Sequence, residues 1–167
     1  MSDLPSKATL ANAATQLPVG WYFDERIFEL EKKHLFDSGP NYVGSKLMVP
    51  EAGDFHTLHA QNHARVLVRG PSGVELLSNI CRHRQAIMLE GRGNIPNIVC
   101  PLHRWAYDLR GEILGAPHFR DTPCLNLART PLQSWNRLLF SGSRDIAAEL
   151  AGLDTGTALD FSGYMYD

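Results

Sequence analysis

Two short segments of the chain each hold one cysteine and one histidine. Cys81 pairs with His83 in the spacing C-x-H, and Cys100 pairs with His103 in the spacing C-x2-H, with sixteen residues between the two segments. Each segment thus offers one soft thiolate and one borderline imidazole. That set suits a 2Fe-2S cluster in which two cysteines hold one iron and two histidines hold the other. The chemistry predicted from these residues is one-electron transfer.

Histidine ligation also has an electronic consequence. With only two thiolates the oxidised cluster is neutral, so it accepts an electron more readily than a four-thiolate cluster, and such centres lie at roughly -150 to +300 mV. A tetrahedral zinc site is the alternative reading of two Cys and two His. Structural zinc ligands more often pair like with like, as C-x2-4-C and H-x3-5-H, so the mixed pairs favour iron.

The residues around the two segments strengthen this interpretation. Residues 79–85 read N-I-C-R-H-R-Q and residues 100–107 read C-P-L-H-R-W-A-Y, and Gly111 and Pro117 follow. This stretch resembles the N-terminal Rieske domain of aromatic-ring-hydroxylating oxygenase large subunits, which typically show N-x-C-x-H-R-G and then C-P-x-H-G-W-x-Y. The resemblance extends over nearly the whole chain.

The resemblance implies a mainly β fold, namely a Rieske-type antiparallel β domain with two cluster-binding loops and a short N-terminal helix. It implies a Rieske-type 2Fe-2S cluster whose ligands are Cys81, His83, Cys100 and His103. Three further residues are expected beside the ligands, where they pack against them or, for the tyrosine, hydrogen-bond to a cysteine sulfur: Arg84, Trp105 and Tyr107.

The chain departs from the family at two positions. Gln85 and Arg104 stand where glycine is usual, and both replacements are expected to change solvent access and hydrogen bonding at the cluster. Leu102 stands where respiratory Rieske proteins have a disulfide cysteine, and Trp105 where they have a hydrogen-bonding serine, so a potential near the low end of the range is expected. The remaining cysteine, Cys124, is expected to be a buried structural thiol.

The rest of the chain predicts one antiparallel β domain with short flanking segments. We expect residues 1–40 to form an arm and a helix that packs on the domain, residues 41–145 to form the Rieske domain, and residues 146–167 to lead toward a catalytic domain outside this chain. The predicted helix covers residues 25–35, capped by Asp24 and ended by Gly39-Pro40. Strands are predicted over 42–43, 46–49, 54–59, 64–68, 74–77, 95–99, 106–109, 125–129 and 137–141, with a hairpin turn at 69–73 and a helical turn at 145–150.

By this resemblance the chain is the electron-accepting part of a Rieske non-haem iron oxygenase. Its partners would be a reductase or ferredoxin donor and a mononuclear-iron catalytic domain or subunit, which hydroxylates or demethylates, in a trimer. The family places that iron in a D-x2-H-x3-4-H motif, which this chain lacks. A free-standing Rieske ferredoxin is the alternative, and a zinc-binding module is a remote one. The arginines flanking the ligands are either solvated or form a basic rim that docks an acidic donor.

Another histidine group lies upstream, at Asp54, His56, His59 and His63. A strand is predicted there, which would place His56 and His59 on opposite faces, so a mononuclear iron site is not expected. The formal net charge of -2 argues against nucleic acid and against a polybasic membrane contact. Since no apolar run is long enough to span a bilayer and no signal peptide is evident, a cytoplasmic protein is expected.

Overall fold

The computed structural model describes residues 17–121 and 123–153, together with Tyr164 and Tyr166. The chain divides into two compact units, with the boundary between Ser38 and Gly39. The predicted arm, up to residue 16, and the tail at 154–163 lie outside the described residues. The boundaries expected for the three segments stay predictions.

The first unit contains the predicted helix. After a 3-10 turn at Val19–Tyr22, helix α1 spans Glu25–Glu31 and continues as a π-helical turn over Lys32–Phe36. Asp24 caps α1, because its carboxylate accepts a hydrogen bond from the Arg26 N–H at 2.9 Å. The helix prediction is therefore confirmed, with its last turn wound more widely than an α-helix.

The second unit is an antiparallel β domain, as predicted. Its strands are β1 (Asn41–Ser45), β2 (Asp54–Thr57), β3 (Arg65–Gly70), β4 (Gly73–Ser78), β5 (Arg92–Asn94), β6 (Ile98–Val99), β7 (Ala106–Tyr107), β8 (Ile113–Gly115), β9 (Arg129–Thr130), β10 (Gln133–Trp135) and β11 (Leu138–Ser141). They form a five-stranded sheet in the order β5-β2-β3-β4-β9 and two three-stranded sheets, β1-β11-β10 and β6-β7-β8. Helix α2 spans Ile146–Leu150 and is capped by Asp145, which confirms the predicted helical turn.

The five-stranded sheet separates two hydrophobic cores. Successive side chains of a strand point to opposite faces, so Val66 and Val68 of β3 enter one core and Leu67 enters the other. In β4, Leu77 and Leu76 divide in the same way. This burial on both faces explains the nearly continuous apolar sequence of β3, and it places the β3–β4 hairpin between the two cores.

Several predicted strands are wrong in part. The strands predicted at 95–99 and 106–109 are confined to Ile98–Val99 and Ala106–Tyr107, and the one predicted at 125–129 contributes only Arg129 to β9. The hairpin turn predicted at 69–73 is limited to residues 71–72, because β3 ends at Gly70 and β4 begins at Gly73. Residues 46–49 form a 3-10 turn over Lys46–Met48 instead of a strand, because the Ser45 hydroxyl accepts the Leu47 N–H at 3.2 Å and starts the turn. The strand predicted at 54–59 ends at Thr57, and a 3-10 turn over His59–Gln61 follows it. Across the part of the chain that the structure describes, no helix is long and apolar enough to cross a membrane.

Candidate metal centre

The two candidate ligand loops extend from strands of two different sheets. The first follows β4, and the second joins β6 to β7. Both loops close with the same pair of backbone hydrogen bonds. In the first loop the Cys81 N–H donates to Ala86 O at 2.8 Å and the Gln85 N–H donates to Cys81 O at 3.0 Å; the second loop repeats these bonds between Cys100 and Trp105 and between Arg104 and Cys100, at 2.8 and 3.0 Å.

This shared pattern of hydrogen bonds explains why glycine is usual at the two positions that Gln85 and Arg104 occupy. Gln85 and Arg104 occupy the same place in their loops, four residues after the cysteine, and both have left-handed backbones, with φ of 57° and 62°. Glycine adopts that conformation without steric cost, whereas other residues do not. Their amides donate to the cysteine carbonyls, and both side chains are exposed. The family glycine position is therefore set by backbone conformation.

The two cysteines lie in the hydrophobic core that also contains Val66 and Val68. Each is 1% exposed, and their thiols are close enough to interact. Burial raises the pKa of the Cys81 thiol, and Cys100 raises it further, while the His83 N–H and the Tyr107 hydroxyl oppose the shift. A metal must displace the thiol proton to bind there.

The two histidines also form a pair. The ring centroids of His83 and His103 are 4.6 Å apart at an interplanar angle of 76°. Two imidazoles bound to one ion through metal–nitrogen bonds of about 2.0–2.1 Å have centroids about 4.5–5 Å apart. Nδ1 of His83 is buried without a hydrogen-bond partner among the described residues. Burial, then the nearby His103 and Arg84, lower the pKa of His83, which favours the neutral imidazole that binds metals.

The donor set therefore fits a two-iron cluster. Each pair supplies two ligands, as each iron of such a cluster requires once bridging sulfides complete its coordination. Among the described residues no three His, Cys, Asp or Glu side chains surround a single point, which is the arrangement that a structural zinc ion requires. The buried Nδ1 of His83 is an atom that a bound iron would satisfy.

Three aromatic rings border the ligands. Trp105 is buried and stacks on His83, with centroids 5.0 Å apart and planes within 5°. Tyr107 is fully buried; its hydroxyl accepts the Arg82 N–H at 3.3 Å and lies 3.9 Å from the Cys81 sulfur. Burial raises the pKa of Tyr107 to about 12, so the phenol keeps its proton. Both residues pack beside the candidate ligands.

The third ring, Phe119, was not identified from the sequence. Its ring meets His83 edge-on at 5.7 Å and Trp105 at 5.2 Å, although the side chain is 47% exposed. Phe119 lies two residues after Pro117, and nothing in the sequence there indicates that its ring contacts a candidate ligand.

Asn79 has a role that the N-x-C pattern does not reveal. The side chain is fully buried and makes three hydrogen bonds: its amide donates to His63 O at 2.8 Å and to Leu89 O at 2.7 Å, and its oxygen accepts the Leu89 N–H at 3.0 Å. Asn79 therefore ties the first loop to two neighbouring segments, two residues before Cys81.

The expected burial of Cys124 is wrong, because the thiol is exposed. In this irregular segment Leu127 enters the core and Leu125 packs against it, whereas the side chain of Cys124 is left exposed.

No three members of the upstream group surround a single point within the part of the chain that the structure describes. The Asp54 carboxylate accepts hydrogen bonds from the Glu51 N–H and from the Asn94 amide. The expectation that His56 and His59 face opposite ways is wrong, since the strand ends at Thr57 and both histidines line one groove of about 260 Å³.

Three arginines and one leucine of the two loops are exposed. Arg82, Arg84 and Arg104 are exposed, and no ion pair of theirs occurs among the described residues. Leu102, 63% exposed, lies within the same loops.

Comparison with known proteins adds three findings. The Rieske 2Fe-2S domain family matches residues 40–131. The chain is 62% identical over its full length to putrescine 2-hydroxylase of Ralstonia nicotianae, of which it covers 46%. It is 33% identical over 102 residues, 60% of this chain and 23% of the relative, to the glycine betaine monooxygenase oxygenase subunit of Chromohalobacter salexigens.

Solved structures share the fold. A quaternary ammonium Rieske monooxygenase superposes with a TM-score of 0.67 at 21% identity, covering 82% of this chain and 42% of that one. The chain spans less than half the length of these relatives.

Proposed function

Because the chain belongs to the Rieske 2Fe-2S domain family, and so carries a Rieske-type cluster, we propose that it is the electron-accepting part of a Rieske non-haem iron oxygenase. Cys81 and Cys100 would hold one iron, and His83 and His103 the other. The cluster supplies reversible one-electron transfer. The observation that carries the assignment is the pairing of two buried thiols with two imidazoles 4.6 Å apart on loops of one hydrogen-bonded frame.

The surrounding residues position the ligands. The core shields the thiols from water, and stacking on Trp105 fixes the plane of His83. His83 and His103 are only half-buried, so an imidazole edge is available to a redox partner.

The ligand assignment is tested on purified, cluster-loaded protein. We expect two irons and two sulfides per chain, and an EPR signal with an average g below the free-electron value after dithionite reduction. Cys81→Ser and Cys100→Ser should lose the cluster, whereas Cys124→Ser should keep it. His83→Cys should shift the potential toward the roughly -400 mV of four-cysteine clusters. Full iron content and an unchanged EPR spectrum in Cys81→Ser would contradict the assignment.

The oxygenase role is favoured over a free-standing ferredoxin by the extent of the match. The family region covers residues 40–131, yet the identity to putrescine 2-hydroxylase extends over all 167 residues. We propose that the whole protein hydroxylates an amine of the putrescine class at a mononuclear iron on another segment, in a trimer located in the cytoplasm.

A chimera tests that role. This chain would replace the matching segment of the Ralstonia enzyme, and hydroxylated putrescine would be measured by mass spectrometry. We expect product from the chimera and none from the chimera with His103→Ala. A chimera that holds a reducible cluster and the mononuclear iron but forms no product would refute the oxygenase role.

We propose that the three loop arginines dock an acidic electron donor, because opposite charges steer association and set its dependence on salt. The reduced protein would be oxidised by anionic ferricyanide and by a cationic cobalt hexaammine. In the double variant Arg84→Glu and Arg104→Glu, the ratio of the anionic to the cationic rate should fall by about tenfold.

Arg110→Glu is the matched control for this test. Arg110 binds Ser72 at 2.8 Å in the hairpin turn at the far end of β4 from the first loop, so its reversal should leave the ratio nearly unchanged. Equal effects of both reversals would refute a local basic rim.

A further inference from the structure

A second pair of histidines lies on the connection between β2 and β3, outside the two cluster loops. The rings of His59 and His63 are 4.2 Å apart at an interplanar angle of 69°. His59 is exposed and His63 is half-buried. This spacing is close to that of His83 and His103.

A buried hydroxyl determines which nitrogen of His63 carries its proton. Thr57 is 1% exposed, and its Oγ1 lies 3.1 Å from Gly91 O and 3.0 Å from His63 Nδ1. A carbonyl only accepts and the hydroxyl has one proton, so Thr57 donates to Gly91 O. His63 must then donate from Nδ1 to Thr57 Oγ1. Neutral His63 therefore carries a free lone pair on Nε2.

This arrangement is the one that prepares histidines for metals. A metal-binding imidazole usually donates its other N–H to an oxygen, which fixes its tautomer and orientation. His63 is held at a second point as well, since its carbonyl accepts the amide of the buried Asn79 at 2.8 Å. The exposed His59 is the adjustable partner, and a shift of about 1 Å brings the rings to the separation of two imidazoles on one tetrahedral ion.

We propose that His59 and His63 form a two-imidazole site for a borderline divalent cation of the Zn²⁺ class. Imidazole nitrogen suits zinc, nickel and copper. No third His, Cys, Asp or Glu joins the pair within the described residues, so water completes the coordination. The site is independent of the cluster and of the proposed electron transfer. A bound cation clamps the β2–β3 connection and, through Asn79, the segment that leads into the first loop.

The test is calorimetric titration of the cluster-loaded protein with Zn²⁺ in a non-coordinating buffer, with iron per chain measured before and after. We expect one Zn²⁺ per chain, reversal by chelator and full retention of iron. His59→Ala and His63→Ala should each weaken binding by at least tenfold. Thr57→Val should weaken it about 10- to 100-fold, as loss of an orienting partner does, and Thr57→Ser should restore it.

His34→Ala is the matched control, because His34 is an exposed histidine of the other unit and its loss should leave the affinity unchanged. Since His59 is exposed, its variant is expected to fold even if His63→Ala does not. Wild-type affinity in His59→Ala, equal weakening in His34→Ala, or zinc uptake that tracks iron loss would each overturn the proposal. Wild-type affinity in Thr57→Val would overturn the tautomer assignment on which it rests.

Discussion

Replacing Asn79 with alanine is expected to destabilise the domain more than any other single polar change near the cluster. The substitution removes three buried hydrogen bonds of 2.7–3.0 Å and leaves His63 O, Leu89 O and the Leu89 N–H without partners. Each buried polar group left unsatisfied costs about 1–3 kcal/mol. With partial recovery by water, the expected loss is about 3–6 kcal/mol, a large share of the roughly 5–15 kcal/mol that stabilises a typical domain.

The assay follows the visible absorbance of the cluster during heating at a fixed scan rate, because loss of a cluster is irreversible. At this chain length one kcal/mol corresponds to about 2–4 °C, so Asn79→Ala should lower the apparent Tm by roughly 6–24 °C. Asn79→Asp should be no better, since its carboxylate faces two carbonyl oxygens in place of an amide donor.

Asn94 provides the matched control. Its amide also makes two hydrogen bonds, at 2.9 Å to Ala52 O and to Asp54, but the residue is exposed. Water can replace these bonds, so Asn94→Ala should cost about 1 kcal/mol or less. Equal shifts for the Asn79 and Asn94 variants would refute the argument that burial sets the cost.

Four further substitutions have expected outcomes. Gln85→Gly and Arg104→Gly each relieve a left-handed backbone strain of about 1–2 kcal/mol, and the greater conformational entropy of glycine in the unfolded chain offsets part of this gain. Each substitution should therefore raise the apparent Tm by roughly 1–4 °C. Gln61→Gly, in a 3-10 turn, is the control and should lower the apparent Tm. Tyr107→Phe removes the hydroxyl beside the nearest thiolate and should lower the reduction potential by roughly 20–60 mV in voltammetry, whereas an unchanged potential would exclude that contact as a tuning device. Cys124→Ser should change stability by less than about 0.5 kcal/mol and leave iron content unaltered, since the thiol is exposed.

The elements that the sequence predicts well are those whose pattern reflects their own burial. Residues 65–70 and 73–78 form a hairpin because Val66, Leu67 and Val68 all enter a core and two residues suffice for the turn. Strand β5 was not predicted, because Arg92–Asn94 are all exposed and show no apolar alternation. That strand exists because its backbone pairs with β2, and pairing between distant segments leaves no local signal.

The same distinction between local and long-range signals determines which residues of the candidate site could be predicted from the sequence. The residue types and spacing are local, so the four candidate ligands and the two aromatic neighbours in the C-P-x-H-x-W-x-Y pattern were identifiable. Phe119 and the hydrogen bonds of Asn79 were not, because both depend on segments that meet only in the folded chain. The left-handed backbones at residues 85 and 104 had a signal in the family glycines, but its cause is the bond from each amide to a cysteine carbonyl.

The unequal spacing of the two ligand pairs has a structural consequence. Both loops share one hydrogen-bonded frame, yet the histidine is the second residue after the cysteine in the first loop and the third in the second. The frame therefore does not present the two imidazoles equivalently. His83 is stacked on Trp105 and edged by Phe119, whereas among the described residues the only ring contact of His103 is with His83. The residue five positions after each cysteine contributes to this difference, since the second loop has Trp105 there and the first has the small Ala86. Two loops of one frame thereby present two half-buried imidazoles with unequal aromatic surroundings.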